Sequence, residues 1–159
     1  MSALPRKKNL KILIIAGESS GDQLGSSLMK QLKSNQEYDF FFWGTGGDEM
    51  SDQGLIRLKH IRELEAIGLE VLFRYRFFIK LLKRILKLCI IGHKDTGTGI
   101  ADKFPKDFIQ ARTDLAILID YPGFNLKLAR LLAQEKIPVI FYVAPQVWAW
   151  RYSRVKKMK

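Results

Sequence analysis

The side chain best placed for acid–base chemistry is Asp120, which directly follows the apolar run Leu115–Ile119. A carboxylate at this point is expected at the tip of a buried strand, where partial burial makes it a better general base. The alternative is that Asp120 is an ordinary turn or capping residue ahead of Pro122. The residue types alone leave both interpretations open.

A second group of polar side chains, Gly17–Asp22, follows an apolar run at residues 10–16. Small residues at the start of a helix expose backbone N–H groups that can bind an anion. The carboxylates of Glu18 and Asp22 would repel a phosphate, however, and together with Ser20 they suit the hydroxyl groups of a sugar better. Asp22 can equally serve as the N-cap of the following helix, and capping does not exclude a binding site.

Two amide side chains are further candidates for ligand binding. Asn125 either hydrogen-bonds a ligand or caps a helix, and Gln146 stands where a predicted strand ends. Trp148 and Trp150 flank a single alanine, so in an extended segment they point the same way. They form either a platform for a sugar ring or acyl chains, or a part of the core.

Apolar runs and helical periodicity alternate along the chain, which predicts strands and helices in turn. The predicted strands are residues 10–16, 39–43, 55–58, 115–119 and 138–143, and the predicted helices are 22–33, 69–88 and 126–133. This order indicates an α/β fold with a doubly wound, mostly parallel sheet and right-handed crossovers. Because ligands bind beyond the carboxyl ends of such strands, we expect the polar turns to meet on one rim.

Residues 69–88 predict a helix that is both basic and strongly apolar. At 3.6 residues per turn most of its cations fall in a sector roughly 100° wide, and its apolar arc is about twice the width that packing on a sheet requires. The surplus favours a helix at a lipid interface, and a fully covered core helix is the alternative. The residues expected to face the membrane are Arg76, Phe77, Phe78, Lys80, Leu81 and Arg84.

The net charge of +11 is concentrated in two segments. Residues 69–88 hold six Lys or Arg against one acid, and residues 151–159 hold five against none. Neither segment has the spaced aromatic residues or the recognition helix of a nucleic-acid-binding protein. We therefore expect no nucleic-acid partner, and an anionic membrane surface or a phosphorylated substrate instead.

Neither a cofactor nor a metal ion is expected. Cys89 is the single cysteine, which excludes an internal disulfide and a cysteine metal cluster and suits the cytosol. The glycine-rich segment 92–101 fails both the P-loop spacing and the dinucleotide fingerprint, so it is predicted to be a loop. No stretch of the chain approaches the roughly 20 apolar residues of a membrane span.

Four segments, in order and with matching spacing, resemble the lipid-A-disaccharide synthase family. Residues 17–22 fit its G-E-x-S-G-D motif, and residues 44–50 resemble its G-x-G-G-x-x-M turn, with Asp48 where proline is common. Residues 119–125 are similar to its I-D-x-P-x-F-N, and residues 145–151 to its P-x-V-W-A-W-R. Each motif alone is weak, but the four together are highly specific.

The resemblance implies the Rossmann-like N-terminal domain of a two-domain GT-B glycosyltransferase. Such an enzyme would transfer diacylglucosamine from its UDP-linked donor to lipid X, without a metal, and release lipid A disaccharide phosphate and UDP. Asp120 would be the base that accepts the proton of the acceptor's 6-hydroxyl group. The basic helix would face the membrane on the acceptor side, at the cytoplasmic face of the inner membrane.

We expect residues 1–159 to form one acceptor-side domain, with an extra segment at residues 89–106 and without the UDP-binding domain. On this view the chain is inactive alone, and a separately encoded C-terminal half is a candidate partner. Two other functions stay open. A non-enzymatic module that binds a membrane or a partner would keep its function without Asp120, and a nucleic-acid-binding protein would lose affinity steeply with salt.

Overall fold

The computed structural model describes residues 7–66, 71–92 and 103–143, which form a parallel sheet with helices on both faces. The strands are Lys8–Ala16 (β1), Tyr38–Gly46 (β2), Ile56–His60 (β3), Leu115–Ile119 (β4) and Val139–Phe141 (β5). The helices are Ser19–Lys33 (α1), Asp48–Asp52 (α2), Ile61–Ala66 (α3), Val71–Ile91 (α4), Lys106–Ile109 (α5) and Pro122–Gln134 (α6).

The five strands are parallel and lie in the order β3-β2-β1-β4-β5. The chain builds outward from β1 in one direction and then returns to add β4 and β5 on the other side. This arrangement confirms the predicted doubly wound α/β fold. In such a sheet the ligand crevice lies beyond the carboxyl ends of the strands where the order reverses, which here is between β1 and β4.

Each face of the sheet buries an apolar layer, because successive side chains of a strand point to opposite faces. The layer beneath α1 and α2 includes Ile12, Ile14, Met29, Phe42, Met50 and Ile117. The layer beneath α4, α5 and α6 includes Leu13, Ile15, Trp43, Ile85, Phe108, Leu118 and Leu128. Burial on both faces explains why the centre of β1 is continuously apolar rather than alternating.

The structure lengthens several predicted elements and adds three short helices. α1 begins at Ser19 rather than Asp22, because Glu18 is extended and takes the N-cap position. α6 begins at Pro122 rather than Leu126, and the fixed φ of proline suits a first helical turn. The helices α2, α3 and α5 have five, six and four residues, which is too short for helical periodicity to reveal them.

Helix α4 is a core helix over much of its apolar arc. Leu81, Leu82 and Ile85 are buried in one cluster with Phe104 and Phe124, which come from different parts of the chain. The arc is wide because several neighbours cover the helix from different directions. The expectation that Leu81 faces a membrane is therefore wrong, since only 4% of this residue is exposed.

The outer side of α4 carries the cations. Arg76 and Lys80 are exposed and Arg84 is half-buried, whereas Phe77 and Phe78 are half-buried and pack against the core. Among the described residues, no helix is both long and apolar enough to cross a membrane. Of the surface expected to face lipid, the structure thus exposes the basic side and covers most of the apolar side.

The segment expected to be extra, residues 89–106, begins as regular structure. Cys89 is buried in the last turn of α4, which runs to Ile91, and Gly92 ends the helix with a φ of 77°. Phe104 is buried in the core. Residues 93–102, which hold most of the predicted loop, lie outside the described ranges. The ends of this segment are therefore integrated into the fold.

A buried lysine fastens the following residues to the amino end of the sheet. Lys11 of β1 is fully buried, and its Nζ donates to the backbone carbonyl oxygens of Phe108 at 2.9 Å and Ala111 at 2.7 Å. Burial lowers the pKa of Lys11 to about 8, although Cys89 and Asp114 act in the opposite direction. No role was predicted for Lys11, which lies within an otherwise apolar run.

Candidate functional site

Three of the four polar turns begin side by side on one rim of the sheet. Ala16 at the end of β1 pairs with Ile119 at the end of β4, and Ile15 pairs with Thr45 of β2. The buried Thr45 Oγ1 also donates to the carbonyl oxygen of Ala16 at 2.8 Å. The turns that contain Glu18 and Asp120 therefore share a rim, as predicted. The fourth turn, with Gln146, Trp148 and Trp150, lies outside the described residues.

The turn after β4 has an unusual backbone. Asp120 and Tyr121 both adopt left-handed conformations, with φ values of 47° and 50°, which are uncommon and strained for residues other than glycine. Pro122 contributes, because a proline disfavours the right-handed helical conformation for the residue before it. The turn leads from β4 into α6 and leaves Asp120 half-buried at the rim.

Asn125 supports this turn from within the fold. Its Nδ2 donates to the carbonyl oxygen of Asp120 at 2.6 Å, and its backbone N–H donates to the carbonyl oxygen of Tyr121 at 3.0 Å. The side chain is fully buried. Asn125 therefore holds the backbone of Asp120 in place. Its Oδ1 has no hydrogen-bond partner among the described residues, and the expectation that the amide contacts a substrate stays a prediction.

Asp22 is also occupied by the protein itself. Its Oδ1 accepts the backbone N–H groups of Gly47 at 2.6 Å and Met50 at 3.2 Å, and its Oδ2 accepts that of Glu49 at 3.1 Å. Asp22 thus caps α2, not its own helix. The capping interpretation was therefore right about the role and wrong about the helix. Only 5% of the residue is exposed, and the expectation that Asp22 binds sugar hydroxyls stays a prediction.

Glu18 and Ser20 keep exposed side chains on the same rim. Ser20 Oγ donates to Glu18 Oε1 at 2.9 Å, which orients the carboxylate. Tyr121 bridges this turn and the next, because its ring lies directly over Gly17, where a Cβ would come within 2.3 Å of the ring. Glu18, Ser20 and Asp120 are therefore the predicted site residues that the described rim presents to solvent.

An ion cluster beyond β2 and β3 was not predicted from the sequence. Asp48 Oδ1 lies 2.9 Å from Arg57 NH1 and 3.2 Å from His60 Nε2, and Arg62 is 3.8 Å from Oδ2. The hydrogen bonds from Arg57 and then His60 hold the pKa of the Asp48 carboxyl below its usual value. His60 Nδ1 accepts the backbone N–H of Arg62 at 3.0 Å, so Nε2 carries the proton. Asp48 stands where the resembling motif commonly has proline.

The exposed part of the rim offers acceptors. The carboxylates of Glu18 and Asp120 accept hydrogen bonds from hydroxyl groups, and a half-buried carboxylate can take a proton. Within residues 7–66, 71–92 and 103–143, no group of three or more His, Cys, Asp or Glu side chains is arranged to hold a metal ion. The rim is thus suited to polyhydroxylated ligands and to proton transfer.

Comparison with known proteins extends the likeness over nearly the whole chain. A sequence model of lipid-A-disaccharide synthetase matches residues 12–159. The chain is 34% identical over 149 residues to the lipid-A-disaccharide synthase of Trichlorobacter lovleyi, which covers 94% of this chain and 34% of that protein. It is 38% identical over 155 residues to the Coxiella burnetii enzyme of the same name, covering 95% and 35%.

A third relative, the lipid-A-disaccharide synthase of Rhodopseudomonas palustris, is 37% identical over 161 residues, covering 100% of this chain and 36% of the relative. The chain thus spans about a third of the length of these curated relatives. The family match includes the turns that hold Glu18 and Asp120. The chain belongs to the lipid-A-disaccharide synthetase family.

Proposed function

We propose that this chain is the acceptor-side domain of a glycosyltransferase that transfers diacylglucosamine from its UDP-linked donor to lipid X. The products are lipid A disaccharide phosphate and UDP. The observation that carries the proposal is the position of Asp120. It corresponds to the aspartate of the I-D-x-P-x-F-N motif that residues 119–125 resemble, and it lies half-buried on the same rim as the exposed Glu18, where the strand order reverses.

In this reaction Asp120 accepts the proton of the acceptor's 6-hydroxyl group. The hydroxyl oxygen forms a bond to the anomeric carbon of the donor, and the bond between that carbon and the diphosphate of UDP breaks, its electron pair leaving with UDP. The exposed Glu18 and Ser20 accept hydrogen bonds from sugar hydroxyls. Negative charge on the rim also favours a transition state in which the anomeric carbon carries positive charge.

The proposal includes a second, UDP-binding half as a partner, whether it lies on the same or on a separate polypeptide. The curated relatives are about three times as long as this chain. In a GT-B enzyme the donor and the acceptor meet between two domains, and holding two reactants in register is worth up to about 7–11 kcal/mol of the barrier. The rim of one domain cannot supply that positioning, so we expect residues 1–159 alone to be inactive.

The experiment is an assay with radiolabelled lipid X and UDP-diacylglucosamine. It compares the 159-residue chain alone, the remaining part of the Coxiella burnetii relative alone, and the two together. We expect disaccharide only when both are present. Efficient turnover by the chain alone would contradict the need for a second half. No turnover by the mixture, while the intact relative is active, would contradict the proposed function.

The proposal also places the basic side of α4 on an anionic membrane at the cytoplasmic face of the inner membrane, where acylated substrates are held. It is supported by the exposed Arg76, Lys80, Lys83 and Lys87, which lie on one helix and attract an anionic surface by about 1 kcal/mol each. Phe77 and Phe78 are half-buried and pack against the core, so among the described residues of α4 the proposal assigns membrane attraction to the cations.

Vesicle sedimentation tests this surface. The chain is expected to bind vesicles rich in phosphatidylglycerol and not pure phosphatidylcholine, and the double variant Arg76→Glu with Lys80→Glu to lose that binding. Lys8→Glu with Lys30→Glu is the matched control, because both lysines are exposed and neither lies on α4. Equal losses in the two double variants would show that net charge, not the surface of α4, governs binding.

A further inference from the structure

The left-handed turn at Asp120 needs a restraint from outside its own backbone. Two successive non-glycine residues with φ values of 47° and 50° are strained, and such conformations persist when the surroundings hold them. Asn125 fixes the two carbonyl oxygens of the turn. Those bonds restrain the backbone from the side of α6, which is the helix that the turn itself begins.

The ring of Tyr121 supplies the restraint from the other elements. It rests on Gly17 of the β1 turn, where no Cβ fits. The Tyr121 ring also makes a T-shaped contact with the ring of Phe78 in α4, with ring centroids 6.0 Å apart and an angle of 76° between the two ring planes. Phe78 also contacts Phe124 of α6 at 5.6 Å. The ring next to the candidate base is thus held between β1, α4 and α6.

We propose that Phe78 is a positioning residue for Asp120: it holds the Tyr121 ring over Gly17 and thereby keeps the Asp120–Tyr121 turn left-handed. The proposal rests on the proposed function, since it gives Phe78 a role in the reaction that Asp120 performs. Removal of the Phe78 ring takes away the contact from α4 and leaves the Tyr121 ring its contact with Phe124 of α6, with centroids 6.0 Å apart. Without the α4 contact, the turn relaxes toward negative φ. The Asp120 carboxylate then leaves the direction in which it meets the acceptor hydroxyl.

The first test is independent of activity. The measurement is the nuclear Overhauser (NOESY) spectrum of the full 159-residue chain. At positive φ the amide proton and Hα of one residue lie close together, so a left-handed residue gives a strong cross-peak between them. We expect strong peaks for Asp120 and Tyr121 in the wild type and weak peaks in Phe78→Ala and in Gly17→Ala, which pushes the ring from the opposite side. Phe78→Tyr should keep the strong peaks. Leu86→Ala, another half-buried core contact on α4, is the matched control and should keep them as well.

The second test uses the complemented disaccharide assay. Phe78→Ala should lower kcat by about tenfold to 100-fold with KM nearly unchanged, the size expected for misplacing a catalytic group by about 1 Å. Phe78→Tyr should restore kcat, and Leu86→Ala should leave it near the wild-type value. Strong Asp120 and Tyr121 cross-peaks in folded Phe78→Ala would overturn the proposal. Weak peaks with an inactive wild-type mixture would instead reject the proposed function and leave the positioning of the turn established.

Discussion

The two ends of the sheet each bury one charged side chain, and each charge fastens a short helix to the sheet. At the carboxyl end, Asp22 accepts three backbone N–H groups at the start of α2. At the amino end, Lys11 donates to the carbonyl oxygens of Phe108 in α5 and Ala111 just beyond it. The charges are opposite because one helix presents its N–H groups and the other segment presents its carbonyl oxygens.

The comparison distinguishes buried charged side chains that anchor short helices from a charged side chain that is available to a ligand. α2 has five residues and α5 has four, which is far below the length at which a helix is stable alone, so each needs an anchor. Asp22 and Lys11 are buried, and their side chains hydrogen-bond the backbone groups at the start of α2 and at the end of α5, respectively. Asp120 is half-buried on the same rim as Asp22, and its carboxylate accepts no hydrogen bond from the described part of the chain. That carboxylate is free to meet a ligand.

The largest expected effect comes from removing the anchor at the carboxyl end. Asp22→Ala removes the acceptor of three backbone N–H groups, of which those of Gly47 and Met50 are buried. At about 1–3 kcal/mol for each buried group left without an acceptor, the free energy of unfolding should fall by about 2–6 kcal/mol. Urea unfolding of the chain measures this loss. Asp52→Ala, at an exposed acid in the last turn of α2, should change stability by less than about 0.5 kcal/mol. Similar losses in both variants would show that Asp22 is no anchor.

At the amino end, the free energy of unfolding should depend on pH, because burial shifts the pKa of Lys11. The pKa of Lys11 is about 8 in the folded chain, against its ordinary value of 10.5. Between these values the unfolded chain binds more protons, so stability rises with pH across this window, by about 3 kcal/mol in total. Below pH 8 both states are protonated and the penalty for burying the charge is fully present.

The check is urea unfolding from pH 7 to pH 10.5 of two proteins, one with Lys11 and one with the substitution Lys11→Met. Both proteins carry Cys89→Ala, because burial raises the pKa of the Cys89 thiol to about 12 and the thiol would lower stability as the pH rises above 9. The protein with Lys11 should gain stability over the Met variant as the pH rises. A constant difference over this range would mean that Lys11 is not buried as a charge.

The smallest effect is expected for an exposed ion pair, which tests whether burial rather than charge makes an anchor. Lys59 of β3 and Glu63 of α3 are paired on the surface, and exposed ion pairs contribute about 0.2–1 kcal/mol. The hydrogen bond from Lys59 lowers the pKa of Glu63, so the contribution is present above about pH 4.5 and is lost as the pH falls further. Glu63→Gln should therefore cost at most about 1 kcal/mol at pH 7, and progressively less as the pH falls below 4.5. A loss of stability as large as that of Asp22→Ala would show that an exposed charge can anchor the fold as strongly as a buried one.

The fold was predictable because its signals are local. Apolar runs marked β1 and β4, and the acid after β4 marked Asp120. The anchors were not predictable, since Asp22 reaches a partner 25 residues away and Lys11 reaches partners 97 and 100 residues away. The helical wheel failed at Leu81 for a related reason. It gives the width of an apolar arc and cannot tell which neighbours cover it.

The turn at Asp120 was predictable only in part. Pro122 was a local signal that Tyr121 avoids the right-handed helical conformation, but the sequence did not indicate that Asp120 would be left-handed as well. That outcome depends on the ring of Tyr121 packing over Gly17, a residue more than 100 positions away. The acid could thus be identified from the sequence, and its orientation could not.

The most direct test of the account substitutes the two rim aspartates with asparagine, and measures both urea unfolding and the complemented disaccharide assay. Asp120→Asn should keep the unfolding midpoint of the wild type and lower activity by about 10²–10⁴-fold, the usual contribution of a general base. Asp22→Asn should lower the unfolding midpoint, because an amide replaces one acceptor oxygen with a donor. An active Asp120→Asn variant, or one that is as destabilised as Asp22→Asn, would contradict the assignment of Asp120 to the chemistry.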